Sequence, residues 1–212
     1  MNVRPVIPSC ETRGLTYYRS YVDRADQQAI SDDILSAITE APFFTPVMPR
    51  TGRSFTVRMT NLGALGWVSD RGGYRYQRTH PETQKPWQAI PERVLAIWRA
   101  VAGYPHDPEA CLVNYYREGA RMGLHRDEDE EDFSAPVVSI SLGDTAIFRI
   151  GGKERSGPTH TLKLCSGDVL VLGGESRFFF HGIDRILAGT STLLKDGGRI
   201  NLTLRRVTKP CG

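Results

Sequence analysis

The chain has few cysteines and no long apolar segment. Its four cysteines show no C-x-x-C spacing, which argues against both a zinc knuckle and a disulfide framework. No apolar run approaches the length of a membrane span, and the first eight residues lack the apolar stretch of a secretion signal. We therefore expect a cytoplasmic protein in a reducing compartment, with no membrane partner.

Acidic residues are scarce outside one short segment. The chain has 27 Lys and Arg against 24 Asp and Glu, but six of these acids are consecutive, at positions 127–132. Outside that segment, 18 acidic residues face the 27 basic ones, a balance that favours a polyanionic partner. Within it, Glu128, Glu130 and Glu131 are expected to lie in a solvated loop.

Internal repeats and low-complexity stretches are absent, and 212 residues suit a single domain. Apolar spacing predicts helices over 23–38 and 91–101. Beyond residue 110 the sequence changes to short apolar runs separated by Gly- and Asp-containing turns. The predicted strands are 111–116, 137–142, 146–150, 161–164, 169–172, 178–181 and 200–207. Many short strands predict a mainly β (α+β) jelly-roll or barrel rather than a doubly wound sheet.

His125 and Asp127, followed much later by His181, form an H-x-D…H pattern. Two imidazoles and one carboxylate are the facial triad that holds Fe(II) and leaves coordination positions open. Residues two apart on a strand share a face, so a strand would bring His125 and Asp127 to one metal. Taken singly, each residue is as well explained by a solvated loop or a buried core histidine, and zinc is the alternative metal.

Two arginines near the end of the chain strengthen the iron interpretation. As a strand, residues 199–205 place Arg199, Asn201, Thr203 and Arg205 on one face and three aliphatic residues on the other. Two guanidinium groups on one face require anions, and a dicarboxylate co-substrate fits. The alternative is a pair of exposed charges on a half-solvated sheet.

The segment from residue 50 to residue 78 contains six arginines, one acid and interleaved aromatic residues. Guanidinium groups for phosphates and aromatic faces for bases are what single-stranded nucleic acid requires. An equally good interpretation from periodicity alone is a β-hairpin cover whose aromatic residues pack on the core. The segment therefore predicts a nucleic-acid contact only in combination with other motifs.

Several motifs together resemble the AlkB family of Fe(II)- and 2-oxoglutarate-dependent dioxygenases, its bacterial members above all. They lie at 59–67, 73–76, 111–116, 123–130, 173–182 and 199–205. The resemblance implies one domain over residues 1–212, with N-terminal helices and a β-hairpin nucleotide-recognition lid at 15–105. It places a double-stranded β-helix dioxygenase core at 106–209. Two positions depart from the bacterial pattern: the loop 188–198 is about one residue longer, and Leu172 stands where that pattern has Trp.

The resemblance also implies roles for individual residues. The metal ligands would be His125, Asp127 and His181. The 2-oxoglutarate site would comprise Asn114, Tyr115, Tyr116, Arg199, Asn201 and Arg205. In that site Arg199 would bind the far carboxylate and Arg205 the carboxylate beside the metal. Substrate contacts would come from Trp67, Tyr74, Arg75, Tyr76, Asp129 and Arg155.

The activity implied is oxidative demethylation of bases such as 1-methyladenine and 3-methylcytosine, with Fe(II) as cofactor and 2-oxoglutarate and O₂ as co-substrates. The products are formaldehyde, succinate and CO₂. The partner is DNA, single-stranded or with a flipped base, and RNA is a second target; we expect a monomer. A carboxylate at Asp129 would favour cationic methylated bases over normal ones. Two alternatives remain open: the same chemistry on a protein or small molecule, and a non-catalytic nucleic-acid-binding module.

Overall fold

The computed structural model describes residues 8–210, and within them lie two α-helices and thirteen strands. The helices are α1 (Arg24–Ala37) and α2 (Glu92–Val101). The first five strands are β1 (Cys10–Thr12), β2 (Leu15–Tyr18), β3 (Arg58–Gly63), β4 (Gly66–Asp70) and β5 (Gly73–Gln77). The next four are β6 (Ala110–Tyr116), β7 (Met122–His125), β8 (Val137–Gly143) and β9 (Thr145–Ile150). The last four are β10 (His160–Leu164), β11 (Val169–Leu172), β12 (His181–Leu187) and β13 (Arg199–Arg205).

Both predicted helices are present, and local chemistry sets the start of the first. The Asp23 carboxylate accepts a hydrogen bond from the Asp26 backbone N–H at 2.9 Å, so it caps the exposed amides of the first turn. Ile30 and Ile34, one turn apart, are fully buried against the largest sheet. Their spacing gives α1 one apolar stripe, which is why the sequence pattern could locate this helix.

The strands from β6 onwards form the predicted double-stranded β-helix. Seven strands make one sheet in the order β1-β2-β11-β8-β13-β6-β3, and four make a second in the order β10-β9-β12-β7. The eight strands β6–β13 divide equally between the two sheets. One apolar cluster fills the space between the sheets, while a second lies between the larger sheet and the helices. The mainly β jelly-roll prediction is confirmed.

The N-terminal part of the chain does more than cover this core. Strands β2 and β3 pair with β11 and β6, so they extend the larger sheet on both sides. Among the described strands, β4 and β5 alone form a hairpin separate from the two main sheets. The β-hairpin cover expected over residues 50–78 is therefore the β4–β5 hairpin. Strand β3 lies in the same segment but belongs to the larger sheet.

The predicted strand at 178–181 is wrong. Residues Gly174–Phe178 form a 3-10 helix, and the strand begins at His181 and continues to Leu187. The three consecutive phenylalanines suggested a buried strand, but a short apolar run does not by itself distinguish strand from helix. The final strand also ends two residues earlier than predicted, at Arg205.

None of the helices within residues 8–210 has the length and apolar character needed to cross a bilayer.

Candidate metal and co-substrate site

Strand pairing brings the two histidines of the H-x-D…H pattern together. His125 is the last residue of β7 and His181 the first of β12, and they are direct partners across these antiparallel strands. Asp127 lies just beyond β7 and completes the group, with one ligand atom from each residue within 4.8 Å of the others. Because β7 ends at His125, Asp127 reaches the histidines from the following loop. The expectation that both residues share a strand face is wrong.

Backbone carbonyls orient both imidazole rings. Nδ1 of His125 lies 3.0 Å from the Gly123 carbonyl oxygen, and Nδ1 of His181 lies 3.0 Å from that of Phe179. Each Nδ1 therefore carries the proton, and each Nε2 presents its lone pair towards Asp127, at 3.8 and 4.0 Å from its carboxylate oxygens. Burial lowers the pKa of His181 to about 4. A neutral, oriented imidazole is the form that binds a metal.

Asp127 is buried, and its charge is compensated mainly by Arg205. Burial alone would raise the pKa of this carboxyl, but Arg205 and the neighbouring histidines lower it well below its usual range. The Arg205 guanidinium is 2.9 Å from one carboxylate oxygen through Nη2 and 3.2 Å from the other through Nε. Asp127 is therefore held ionised, which is the state a cation requires.

Glu130 and Arg177 support this arrangement, although no sequence motif predicted a role for either. Arg177 is buried and donates to the Asp127 backbone carbonyl at 2.6 Å and to the Glu130 carboxylate at 2.7 Å. Glu130 also lies 3.4 Å from Arg205 and accepts from the Tyr76 hydroxyl at 2.5 Å. The expectation of a solvated loop is wrong for Glu130, because it is buried between two arginines. The one signal in the sequence was an arginine directly before the Phe-Phe-Phe-His segment.

A cavity of about 420 Å³ opens above these residues, and Arg199 lies in its wall. Arg199 is fully buried and donates to the Ser141 hydroxyl at 2.8 Å and to the Leu164 carbonyl at 3.2 Å. Within residues 8–210 no carboxylate lies within 4.0 Å of its guanidinium, and its Nε has no hydrogen-bond partner. Burial lowers its pKa to about 10, so it keeps its charge at neutral pH. A buried cation without an anion is costly, so this end of the cavity is suited to bind one.

Most of the other residues expected to bind 2-oxoglutarate line the same cavity. Asn114, Tyr116 and Asn201 do so, and the Asn114 side-chain oxygen is buried without a partner in the described residues. Burial raises the pKa of Tyr116, which keeps its hydroxyl protonated. Tyr115 is different: it lies on the opposite face of β6, packs against Phe43 and points its hydroxyl at the Gly197 carbonyl. It does not line the cavity.

Asp144 anchors the loop that leads into β13, which we expect to be about one residue longer than in the bacterial pattern. Asp144 accepts hydrogen bonds from the backbone amides of Ser191 and Gly198, both at 3.0 Å. Arg199 consequently pairs with Tyr116 on one side and Gly143 on the other. Leu172, the second departure from the bacterial pattern, also lines the cavity.

We call His125, Asp127, His181, Arg199 and Arg205 the floor of the cavity. Its mouth is formed by Trp67, Tyr74, Asp129 and Arg155. At the mouth the Trp67 indole N–H donates to the Asp129 carboxylate at 2.7 Å. Trp67 also stacks on Tyr74, with ring centroids 5.5 Å apart and an interplanar angle of 19°. Asp129, Arg155 and Tyr74 are exposed, so this region can meet a large substrate.

Arg75 and Tyr76, also predicted to touch the substrate, do not line the cavity. The Arg75 guanidinium forms an ion pair with Asp70 at 2.7 Å, within the hairpin. The Tyr76 side chain points to the floor, where its hydroxyl contacts Glu130 and lies 3.5 Å from Arg205 Nη1. In this structure Tyr76 therefore belongs to the support of the floor.

These residues fit a metal and an anionic co-substrate. Two neutral imidazoles and one ionised carboxylate are a ligand set for Fe(II), and a buried, uncompensated arginine lies in the same cavity. A double-stranded β-helix with this site has the features of a mononuclear Fe(II) oxygenase.

Comparison with known proteins agrees. The model of the 2OG-Fe(II) oxygenase superfamily matches residues 14–205. The alpha-ketoglutarate-dependent dioxygenase AlkB homolog of Caulobacter vibrioides is 50% identical over 193 residues, covering 91% of this chain and 87% of that protein. The chain belongs to the AlkB family within this superfamily, and it is an enzyme that uses Fe(II) and 2-oxoglutarate.

Two further matches extend the comparison. The DNA N(6)-methyladenine demethylase ALKBH1A of Arabidopsis thaliana is 37% identical over 134 residues, covering 60% of this chain and 39% of that protein. The solved structure of OsALKBH1 matches with a TM-score of 0.78 and 31% identity, covering 94% of this chain and 100% of that chain.

Proposed function

We propose that this enzyme repairs methylated nucleic acid by oxidative demethylation of bases such as 1-methyladenine and 3-methylcytosine. DNA is the principal substrate and RNA a second one. Fe(II) and 2-oxoglutarate together supply the oxidation of the N-methyl carbon by O₂, so that formaldehyde, succinate and CO₂ are released. The observation that carries the proposal is the joining of two features in one cavity: a buried anion site and metal-ligand set below, and an exposed aromatic and acidic mouth above.

At the floor, we assign the metal to His125, Asp127 and His181. Arg199 binds the far carboxylate of 2-oxoglutarate, because it is the buried cation that lacks an anion. Arg205 is assigned to the carboxylate beside the metal, and its contact with Asp127 also holds that ligand in place. Asn114, Tyr116 and Asn201 supply hydrogen bonds along the same wall. We drop Tyr115 from the set, since it faces away from the cavity.

At the mouth, Trp67 stacks on the target base and Asp129 contacts its polar edge. A base methylated at N1 of adenine or N3 of cytosine is cationic, so the Asp129 carboxylate favours it over the neutral intact base. Tyr74 and Arg155 lie at the same mouth and contact the nucleotide backbone. Arg75 instead pairs with Asp70 within the hairpin that carries Trp67 and Tyr74, and Tyr76 supports the floor through Glu130.

The methylated atom lies on the pairing edge of the base, which is inaccessible in a duplex. The substrate is therefore single-stranded or has its base flipped out. We further propose a monomer that acts in the cytoplasm. The three described cysteines, Cys10, Cys111 and Cys165, are free thiols, which supports a reducing compartment.

The decisive experiment compares one oligonucleotide in methylated and unmethylated form. With Fe(II), 2-oxoglutarate and O₂ present, we expect the methylated strand to give formaldehyde and succinate in equal amounts, and the unmethylated twin to give little of either. DNA and RNA versions of the strand rank the two substrates. A methylated peptide serves as the competing class: faster formaldehyde release from the peptide than from every oligonucleotide would contradict the proposal.

A further inference from the structure

A groove lies beside the cavity. Its volume is about 530 Å³, and it shares part of its wall with the cavity, including Met48, Phe55 and Met122. Three arginines line the groove: Arg53, Arg121 and Arg149. None of the six consecutive acids lines it. A chain leaving the mouth in this direction meets positive charge, whereas Glu128 and Asp129 lie in the wall of the cavity itself.

The charge of these arginines is uncompensated. Within residues 8–210, no carboxylate lies within 4.0 Å of any of the three guanidinium groups, and Arg149 has only a 3.2 Å hydrogen bond to the Thr159 hydroxyl. The acid that lines the groove, Asp184, forms an ion pair with Arg185 at 2.8 Å. The groove therefore carries net positive charge that is available to a ligand.

The backbone around these arginines is held in place. The Thr56 hydroxyl donates to the Arg121 carbonyl at 2.9 Å and accepts from the Arg121 N–H at 3.1 Å, which ties the two walls of the groove together. Arg149 pairs in register with Gly182 on β12. A side chain at Gly182 would collide with the Met122 carbonyl, its Cβ lying 2.5 Å from that oxygen. Because Gly182 has no side chain, β7 can approach β12 closely, and these two strands form the base of the groove.

We propose that this groove, which we call the arginine groove, binds the sugar–phosphate backbone of the strand that carries the target base. The proposal rests on the proposed function, because it treats the groove as the continuation of the substrate path. The base enters the cavity, the acidic side of the mouth repels phosphates, and Arg53, Arg121 and Arg149 receive the nucleotides that flank the target. Phosphate contacts of this kind position a strand without reading its sequence.

The first test measures binding as a function of salt. A labelled single strand of about 15 nucleotides spans the range of known single-strand sites. Each phosphate contact contributes roughly 0.7 to the slope of log affinity against log salt. We expect Arg53→Gln/Arg121→Gln to reduce the slope by about 1.4 and the addition of Arg149→Gln to reduce it by about 2 in all. The control is Arg24→Gln/Lys195→Gln, which removes two exposed charges beyond the groove and should leave the slope unchanged.

The second test separates the groove from the catalytic cavity. The loss of kcat/KM caused by the triple variant should grow with strand length: it should be absent for the methylated mononucleoside, which has no flanking nucleotides, and largest for the longer strand. If the salt slope of binding and the length dependence of kcat/KM are both unchanged, the groove does not bind the strand, and the proposed function is unaffected. A reduced slope without demethylation of any strand supports the groove and contradicts the proposed function. An equal loss of affinity for a polyaspartate peptide of matched charge would also overturn the proposal, because the groove would then bind any polyanion.

Discussion

The floor and the mouth of the cavity both contain an aspartate and at least one arginine, but these residues are buried at the floor and exposed at the mouth. At the floor, His125 and His181 are partners in the ladder of a sheet, and Arg205 is buried between two carboxylates. At the mouth, the Trp67 indole N–H donates to the exposed Asp129 carboxylate, and the Trp67 ring stacks on the exposed Tyr74. A buried ion pair loses several kcal/mol when one partner is removed, whereas an exposed contact contributes much less. The floor is therefore built for fixed geometry, and the mouth can adapt to a substrate.

Removing a metal ligand should have the largest effect. We predict that His181→Ala loses Fe(II) binding and turnover while the fold survives, because the incomplete ligand set cannot hold the metal. The measurement is the weak visible charge-transfer band that appears when Fe(II) and 2-oxoglutarate are added without O₂, together with succinate formation. His160→Ala, at an exposed position on β10, is the matched control. Succinate production near the wild-type rate by His181→Ala would show that the metal lies elsewhere.

The two floor arginines allow the next test, since they lie on the same face of β13 but differ in charge compensation. Arg199→Met should raise the 2-oxoglutarate concentration needed for half-maximal rate by roughly thirtyfold or more, because it removes one partner of a buried charge pair. Affinity for DNA should not change. The ligand-free protein should be at least as stable as wild type, since Arg199 has no anionic partner there.

Arg205→Met should behave in the opposite way in the ligand-free state. It removes the cation that compensates Asp127, while Glu130 keeps its ion pair with Arg177, so the free energy of unfolding should fall by about 3–5 kcal/mol. Urea unfolding of both variants without ligand measures this contrast. If Arg199→Met and Arg205→Met reduce the free energy of unfolding equally, charge compensation does not distinguish the two arginines of β13.

At the mouth we expect a smaller and more selective effect from Asp129→Asn. A hydrogen bond to a charged group contributes on the order of 1.5–3 kcal/mol, roughly tenfold to a hundredfold in rate. The loss should fall on cationic 1-methyladenine and 3-methylcytosine more than on neutral 1-methylguanine and 3-methylthymine. The measurement is the ratio of rates across the four lesions in one oligonucleotide. Equal slowing of all four would mean that Asp129 supports the structure or tunes the metal.

The smallest effects should come from Trp67, where two variants separate stacking from hydrogen bonding. Trp67→Ala should weaken binding of all four lesions by roughly tenfold, because an aromatic ring stacks on any base. Trp67→Phe keeps a ring but removes the N–H that donates to Asp129. Its binding should be close to wild type, with a modest change in the preference for cationic lesions. A uniform loss in Trp67→Phe equal to that in Trp67→Ala would remove any role for the indole N–H.

The sequence predicted regular elements well where a helical period or the bounding turns were clear. Helix α1 was located to within two residues because its apolar residues repeat with the helical period. Strands β6, β8 and β9 were located equally well because they are short apolar runs bounded by turn residues, and they are buried at most positions. The segment before His181 was not, since three consecutive phenylalanines fit a strand and a helix equally well. Strands β1 and β2 were also missed, because they are short and their identity depends on the neighbours with which they pair. For β7 the sequence indicated a strand through His125, but not that the strand ends there.

For the candidate site, too, the sequence predicted some features and not others. The sequence indicated His125, Asp127, His181, Arg199 and Arg205, because metal ligands and buried cations come from few residue types in recognisable patterns. It could not show that Glu130 lies between Arg177 and Arg205, since the partner arginines are 47 and 75 residues away in the chain.

By itself, the sequence determined the fold class, the family and the chemical identity of the floor, because residue type and local spacing carry that information. Tertiary structure alone decided which charges are compensated. One acid of the run became a metal-ligand candidate, another a buried ion-pair partner, and Asp129 an exposed acceptor at the mouth. It likewise placed Tyr115 outside the cavity and gathered three arginines from separate segments into one groove. The burial and pairing of charged side chains depend on contacts between segments that are distant in sequence, and only the folded structure determines those contacts.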